Sequence, residues 1–338
     1  MRYIVCFLFS LFLAGANAQI KPEFFPEDAT EEGIAVRCFC KPGVKNKSRS
    51  KGLKLEYSYL SGGDFLAEDT IFQQPFSSLK SIQQFEVDMK APIINKKGFK
   101  FLIGYKYFSE KYSINTAGAD YNETFRQLGK GTLKSSSVSV FLTKPLDERR
   151  YTAFRLRYSA NGNYSGIINF DQQYAIYKLL GMYAIKKSED FEWGFGLNFV
   201  KSFRRTNILP FLLFNKNFNN RWGLESALPG YVFGRLNANQ GNILLFGVEY
   251  NSQSYRMGIK DTPTGDLDFA LNHSEILFSV ELEHQFAKWI WASVKSGYQL
   301  NFSTDFEEKS ANTTSFNAEP TSPFFFRVGL FVSPPDLD

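Results

Sequence analysis

Residues 192–200 read E-W-G-F-G-L-N-F-V. On an extended backbone this puts Trp193, Phe195, Leu197 and Phe199 on one side and Gly194, Gly196 and Asn198 on the other. The same period of two returns along most of the chain from Lys51 onward. Leu53, Leu55, Tyr57 and Tyr59 alternate with Lys54, Glu56 and Ser58, and Phe85, Val87 and Met89 with Glu86, Asp88 and Lys90. Phe99, Phe101, Ile103, Tyr105 and Tyr107 oppose Lys100, Gly104 and Lys106; Phe154, Leu156 and Tyr158 oppose Arg155 and Arg157. Near the end, Ile276, Phe278, Val280 and Leu282 oppose Ser279, Glu281 and Glu283, and Ile290, Ala292 and Val294 oppose Ser293 and Lys295.

A single alternating strand suits a half-wet sheet in water as well as one in lipid. Repetition over nearly the whole chain points to lipid, because a closed barrel in a bilayer is the large structure that wants apolar side chains outside and polar ones inside. Aromatic residues make up 17% of the 338 residues, 36 of them Phe, yet the mean hydropathy is only −0.25. Strands with one greasy and one wet face give that combination. A Lys or Arg facing lipid at mid-bilayer costs about 2–4 kcal/mol, so the charged row faces inward. The sequence therefore predicts an all-β, antiparallel transmembrane β-barrel. Its expected lumen-lining residues are Lys54, Glu56, Glu86, Asp88, Lys90, Lys106, Arg155, Arg157, Arg235, Glu249, Glu281, Glu283 and Lys295.

The ends read differently. Residues 1–18 carry Arg2, an apolar stretch from Ile4 to Ala14 and the small-residue site Ala16-Asn17-Ala18, the pattern of a cleavable export signal. Residues 19–50, with Pro22, Pro26, Pro42 and acidic positions from Glu27 to Glu32, are expected to be a flexible periplasmic lead-in. The barrel is assigned to residues 51–333 and a short tail to 334–338. Loss of Arg2 with the signal lowers the net charge from +5 to +4. The basic stretch from Lys45 to Lys54 reads as a solvated loop, and no nucleic-acid partner is expected. Cys38 and Cys40 are two residues apart, a strained spacing for a disulfide, and His273 and His284 are too few to complete a zinc site with them. No metal and no cofactor are expected.

Connections set the strand count. Residues 95–98, 146–149, 187–190, 238–241 and 287–288 are tight polar turns, while 61–78, 109–128, 161–170, 261–272 and 303–322 read as long loops. Short turns on one side and long loops on the other are the habit of outer-membrane barrels, whose long loops face outside. Counts made from the two ends disagree in parity across residues 202–237. Either two apparent strands merge there, or Leu228-Pro229-Gly230 turns an additional hairpin. Twelve strands are expected, with fourteen as the second option.

The stretch Trp222, Glu225, Leu228-Pro229, Tyr231 and Arg235, followed by 245–250 and Tyr255-Arg256, resembles a family of bacterial outer-membrane barrels catalogued as a domain of unknown function, as does the closing strand 323–332. The resemblance implies an outer-membrane barrel with no assigned activity. In one respect the chain departs from the usual pattern: Phe331 is followed by Val332 and a tail, where barrels often end on the aromatic residue that assembly machinery reads. Outer-membrane lipid and that machinery are the expected partners.

No catalytic residues are assigned. In His273-Ser274-Glu275 the serine and histidine are neighbours on a strand and point to opposite faces, so a serine–histidine pair does not form. His284, beside Glu281 and Glu283, is expected in a hydrogen-bonded lumen network. The function predicted is passage of a small solute, with a plugged barrel whose loops bind a surface ligand as the alternative and a lipid-modifying enzyme behind both.

Overall fold

The computed structural model describes residues 42–68, 77–96, 98–114, 128–203, 206–262, 265–308, 315–320 and 323–333. The expected export signal, Cys38, Cys40, the lead-in before residue 42 and the tail 334–338 lie outside the described residues.

Among the described residues fifteen strands follow one another: β1 (Leu53–Glu68), β2 (Ser77–Lys96), β3 (Phe99–Ile114), β4 (Leu133–Pro145), β5 (Arg150–Gly162), β6 (Ala175–Ser188), β7 (Phe191–Lys201) and β8 (Thr206–Asn217). They continue with β9 (Trp222–Leu228), β10 (Tyr231–Asn239), β11 (Asn242–Thr262), β12 (Gly265–Gln285), β13 (Ile290–Glu308), β14 (Ser315–Pro320) and β15 (Phe324–Val332). Each pairs antiparallel with the next from β1 to β13. β14 and β15 both pair with β13 on one side and β1 on the other, so they occupy a single position in the wall and close the ring. Fifteen segments thus make a closed fourteen-stave barrel.

Fourteen, the second option, replaces the expected twelve. The difference arises where the two counts disagreed. Leu228-Pro229-Gly230 does turn a hairpin, between β9 and β10, and Ala175–Asn239 packs five strands into a stretch where an average spacing allows fewer. Several expected long loops are also strand: β1 runs to Glu68, β3 to Ile114, and β11 and β12 stay paired as far as Thr262 and Gly265. Beyond the apolar belt the outer positions turn polar, Lys111 and Ser252 among them, so the outward apolar row stops while backbone pairing continues.

The tight turns, residues 146–149, 189–190, 218–221, 240–241 and 286–289 among them, lie at one end with the start of β1 and the end of β15. We call this the turn end and the other the loop end. Outward positions are apolar and uncovered. Phe195 (51% exposed) and Phe278 (47%) stand out from the wall with Leu197, Val280, Phe326 and Leu330, the arrangement a bilayer solvates. Inward positions of the same strands are buried or half-buried.

The wall is uneven in height. β9 and β10 are 7 and 9 residues long, whereas β11 and β12 are 21 each. β10 covers β11 only as far as Glu249. Above that, β11 leans over to β5: Arg256 pairs in parallel with Gly162, and the Asn163 amide donates to the Arg256 carbonyl at 3.2 Å. A Cβ at position 162 would lie 2.4 Å from that carbonyl, so the approach requires glycine. The loop-end storey is therefore narrower and bypasses β6 to β10. Its interior is an apolar core of Leu60, Tyr112, Leu133, Met257, Leu271 and Phe306 with their neighbours. A polar inner row is found in the lower storey and not in this one, where β11 approaches β5 and apolar side chains fill the interior.

Candidate functional site

The lower storey of the lumen carries the charge. Alternation places alternate residues of every strand inside, and the register decides which of them meet. Arg327 Nε lies 3.3 Å from Glu56, Lys54 Nζ lies 3.3 Å from Glu56 and 2.6 Å from Glu86, and Lys106 Nζ lies 2.8 Å from Glu86. This chain of ions runs from β15 through β1 and β2 to β3. Asp88 pairs with Lys90 at 2.9 Å. A second chain joins Glu249 to Lys295 at 2.6 Å and Lys295 to Glu281 at 3.6 Å. Arg235, fully buried, donates to Glu225 at 2.8 Å and to Asn217 Oδ1 at 2.5 Å. Its guanidinium lies over Gly223, where a Cβ would come within 2.5 Å of Nη2, so the W-G-L-E sequence of β9 leaves room for it. Such buried ions are sustained by their partners: the desolvation cost is repaid by the opposite charge and hydrogen bonds.

Residues 42–52 run inside the turn-end mouth from β7 to β1, six staves apart in a ring of fourteen. The Gly43 amide donates to Glu192, and the Lys45 amide to the Glu189 carbonyl at 2.8 Å. Asn217 and Asn237 donate to the carbonyls of Lys45 and Asn46 at 2.7 and 3.0 Å. Ser48 donates twice to Glu225, from its amide at 2.8 Å and its hydroxyl at 2.6 Å. Arg49 stacks over Trp291, and Lys51 reaches Glu283 at 2.7 Å and Glu281 at 3.2 Å. The end of the expected lead-in is thus a strap held against the lumen wall. Lys51, read from sequence as part of a solvated basic loop, is an ion-paired lumen residue. Burial works against its charge, but the carboxylates of Glu281 and Glu283 outweigh burial and hold its pKa above the ordinary lysine value.

The strap covers the side of the lumen that carries Glu192, Glu225, Glu281 and Glu283. The other side, β3 to β6, presents Lys106, Arg155, Arg157 and Lys178. Arg157 donates to Ser139 Oγ at 2.9 Å, and the buried Nε of Arg155 has no acceptor among the described residues.

Where the two storeys meet, His273 bonds Thr304 through Nδ1 at 2.8 Å and Glu275 through Nε2 at 2.9 Å. Two cavities of about 10 Å³ flank it, each room for about one water. Ser274 lies on the opposite face and donates to Ser252 at 3.1 Å, so histidine and serine do not meet. His284, expected in the lumen network, is outside it. It is one residue out of step with Glu281 and Glu283, exposed, and bonded to Asn242 Oδ1 at 2.8 Å.

Sequence reading named the strand charges by alternation and carried no information on their connections. It missed Lys178 because Tyr177, Leu179 and Leu180 around it make β6 apolar on both faces. It missed Glu192, Glu225 and Arg327 as partners because nothing local to them shows what crosses the barrel.

Residues 54–333 match the model of the family described as a domain of unknown function, DUF6268. No curated protein matches the chain in sequence. Among solved structures, an outer membrane channel from Pseudomonas putida F1 is similar at 9% identity and a TM-score of 0.43, over 92% of this chain and 100% of that one. The toluene transporter TodX of P. putida is similar at 8% identity and 0.35, over 84% and 90%. The outer membrane protease OmpT of Escherichia coli is similar at 10% and 0.29, over 85% and 99%.

Proposed function

Since the chain belongs to the DUF6268 family, whose description assigns no activity, its own geometry has to supply a function, and we propose that it is a bacterial outer-membrane channel for small solutes, gated at its periplasmic mouth by residues 42–52. The observation that carries this reading is the strap. It enters the mouth beside a charged lumen and is held largely by hydrogen bonds and ion pairs to wall carboxylates, notably Ser48 to Glu225 and Lys51 to Glu283. Contacts of this kind exchange with water and can be released, unlike a packed apolar plug. The lumen-facing charges Lys54, Glu56, Glu86, Asp88, Lys106, Arg155, Arg157, Arg235, Glu249, Glu281, Glu283 and Lys295 would then border the aqueous path.

One observation favours a second reading. The apolar core of the loop end, Leu60, Tyr112, Met257, Phe269 and Phe306 among it, fills the upper storey, as expected of a closed barrel that serves structure or presents its loops to a surface ligand. Planar-bilayer recording separates the two. The channel reading expects rare, brief steps from the full protein and frequent, long ones after excision of residues 43–50. A folded protein that gives no steps in either form supports the closed barrel. The enzyme reading has no comparable support: Ser274 is turned away from His273.

A further inference from the structure

The basic side of the lumen is built differently from the acidic side. Arg157 on β5 and Lys178 on β6 are direct cross-strand partners, and Arg155 lies two residues along on the same inner face. Like charges opposite one another on a sheet repel, and each pair lowers stability unless something between them carries the opposite charge. The carboxylates that β2 turns inward are committed elsewhere: Glu86 to Lys54 and Lys106, Asp88 to Lys90. Among the described residues, neither Arg155 nor Lys178 has an ion-pair partner, and Arg157 has only the hydroxyl of Ser139. Arg155 Nε is buried without an acceptor among the described residues. Among the described residues, the strap, which supplies Lys51 and Ser48 to the acidic side, makes no hydrogen bond or ion pair with Arg155, Arg157 or Lys178.

We propose that Arg155, Arg157 and Lys178 form an anion-binding site in the lumen, for a small solute bearing a carboxylate or phosphate group. Two guanidinium groups give paired N–H donors that match the two oxygens of such a group, and the ammonium adds a point charge. An anion there would bond the Arg155 Nε and neutralise the Arg157–Lys178 repulsion at once. The proposal deepens the channel reading by naming the solute class, but binding is measured without conduction, so the two stand or fall separately.

The test is thermal unfolding of the full protein in detergent, with inorganic phosphate added at constant ionic strength against chloride. Heat-modifiable gel migration verifies that each variant is folded. Phosphate is expected to raise the unfolding midpoint of the wild type in a saturable way. Lys178→Gln and Arg155→Gln should each weaken phosphate binding at least tenfold, while Lys288→Gln on an exposed turn leaves it unchanged. In the absence of phosphate, Lys178→Gln should unfold at a higher temperature than the wild type, since it removes a repelling charge. Equal phosphate stabilisation of the wild type and Lys178→Gln, or none of the wild type, overturns the site. Phosphate binding in a protein that never conducts would keep the site and remove only the channel.

Discussion

Lys51 Nζ lies 2.7 Å from Glu283 Oε1, so a residue two positions before β1 is tied to β12, three staves away around the ring. Glu283 is fully buried and Lys51 is a quarter exposed. The lysine is therefore the movable partner and the carboxylate the fixed one.

If that pair holds the strap in place, Lys51→Ala should lengthen channel openings by about tenfold or more. Losing one partner of a half-buried ion pair is worth on the order of 1–2 kcal/mol, and 1.4 kcal/mol is a factor of ten. Single-channel open times measure it. Open times equal to the wild type would show that Lys51 does not hold the gate.

The pair also sets a pH expectation. A lysine whose folded pKa lies above the ordinary value of 10.5 contributes stability that is fully present below 10.5 and is lost only as pH rises through the higher folded value. The lysine therefore gives no cause for the strap to loosen between pH 7 and pH 10. Limited proteolysis within residues 42–50 across that range should show constant protection, and cleavage that rises by pH 9 would contradict the assignment.

Arg235 and Glu225 make a fully buried pair. Arg235→Ala leaves Glu225 buried with a lost partner and should cost about 3–5 kcal/mol of stability. Arg235→Met combined with Glu225→Leu should be milder than either single change, since no lone charge remains. Equilibrium unfolding in phospholipid vesicles measures both, and additive losses would mean the two residues are not coupled.

On the outer face, Val280→Arg should destabilise the barrel by about 2–4 kcal/mol in a bilayer, the cost of a cation in hydrocarbon. Vesicle unfolding of this variant against the wild type gives the value. A change near zero would place Val280 in water and undo the membrane assignment.

The bridge between β11 and β5 depends on Gly162. Gly162→Val puts side-chain atoms where the Arg256 carbonyl approaches and should separate the two strands. Hydrogen exchange at the Asn163 amide, which donates to that carbonyl, should speed up while exchange in β1 and β2 stays unchanged.

Much of this was legible along the chain. Alternation at Glu192–Val200 and Ile276–Glu283 gave the inward and outward rows residue by residue, because a pleated strand admits only two faces. The closing strand was read at residues 323–332 and runs from Phe324 to Val332, and the ambiguity at residues 202–237 marked the place where Leu228-Pro229-Gly230 adds a hairpin. His284 was misplaced because a one-residue shift in parity changes the face and its neighbours Glu281 and Glu283 gave no warning of it.

The chain by itself determined an antiparallel barrel, the side of each strand that meets lipid, and most of the charges that had to be kept from it, since a two-residue period and the cost of charge in hydrocarbon are local facts. The tertiary structure alone decided that there are fourteen staves, that β11 narrows the upper storey onto β5, that residues 42–52 reach Glu192, Glu225 and Glu283, and that Lys178 meets Arg157. Those outcomes depend on strand register and on which strands face one another around a closed ring, and both are set by pairings between residues far apart in sequence.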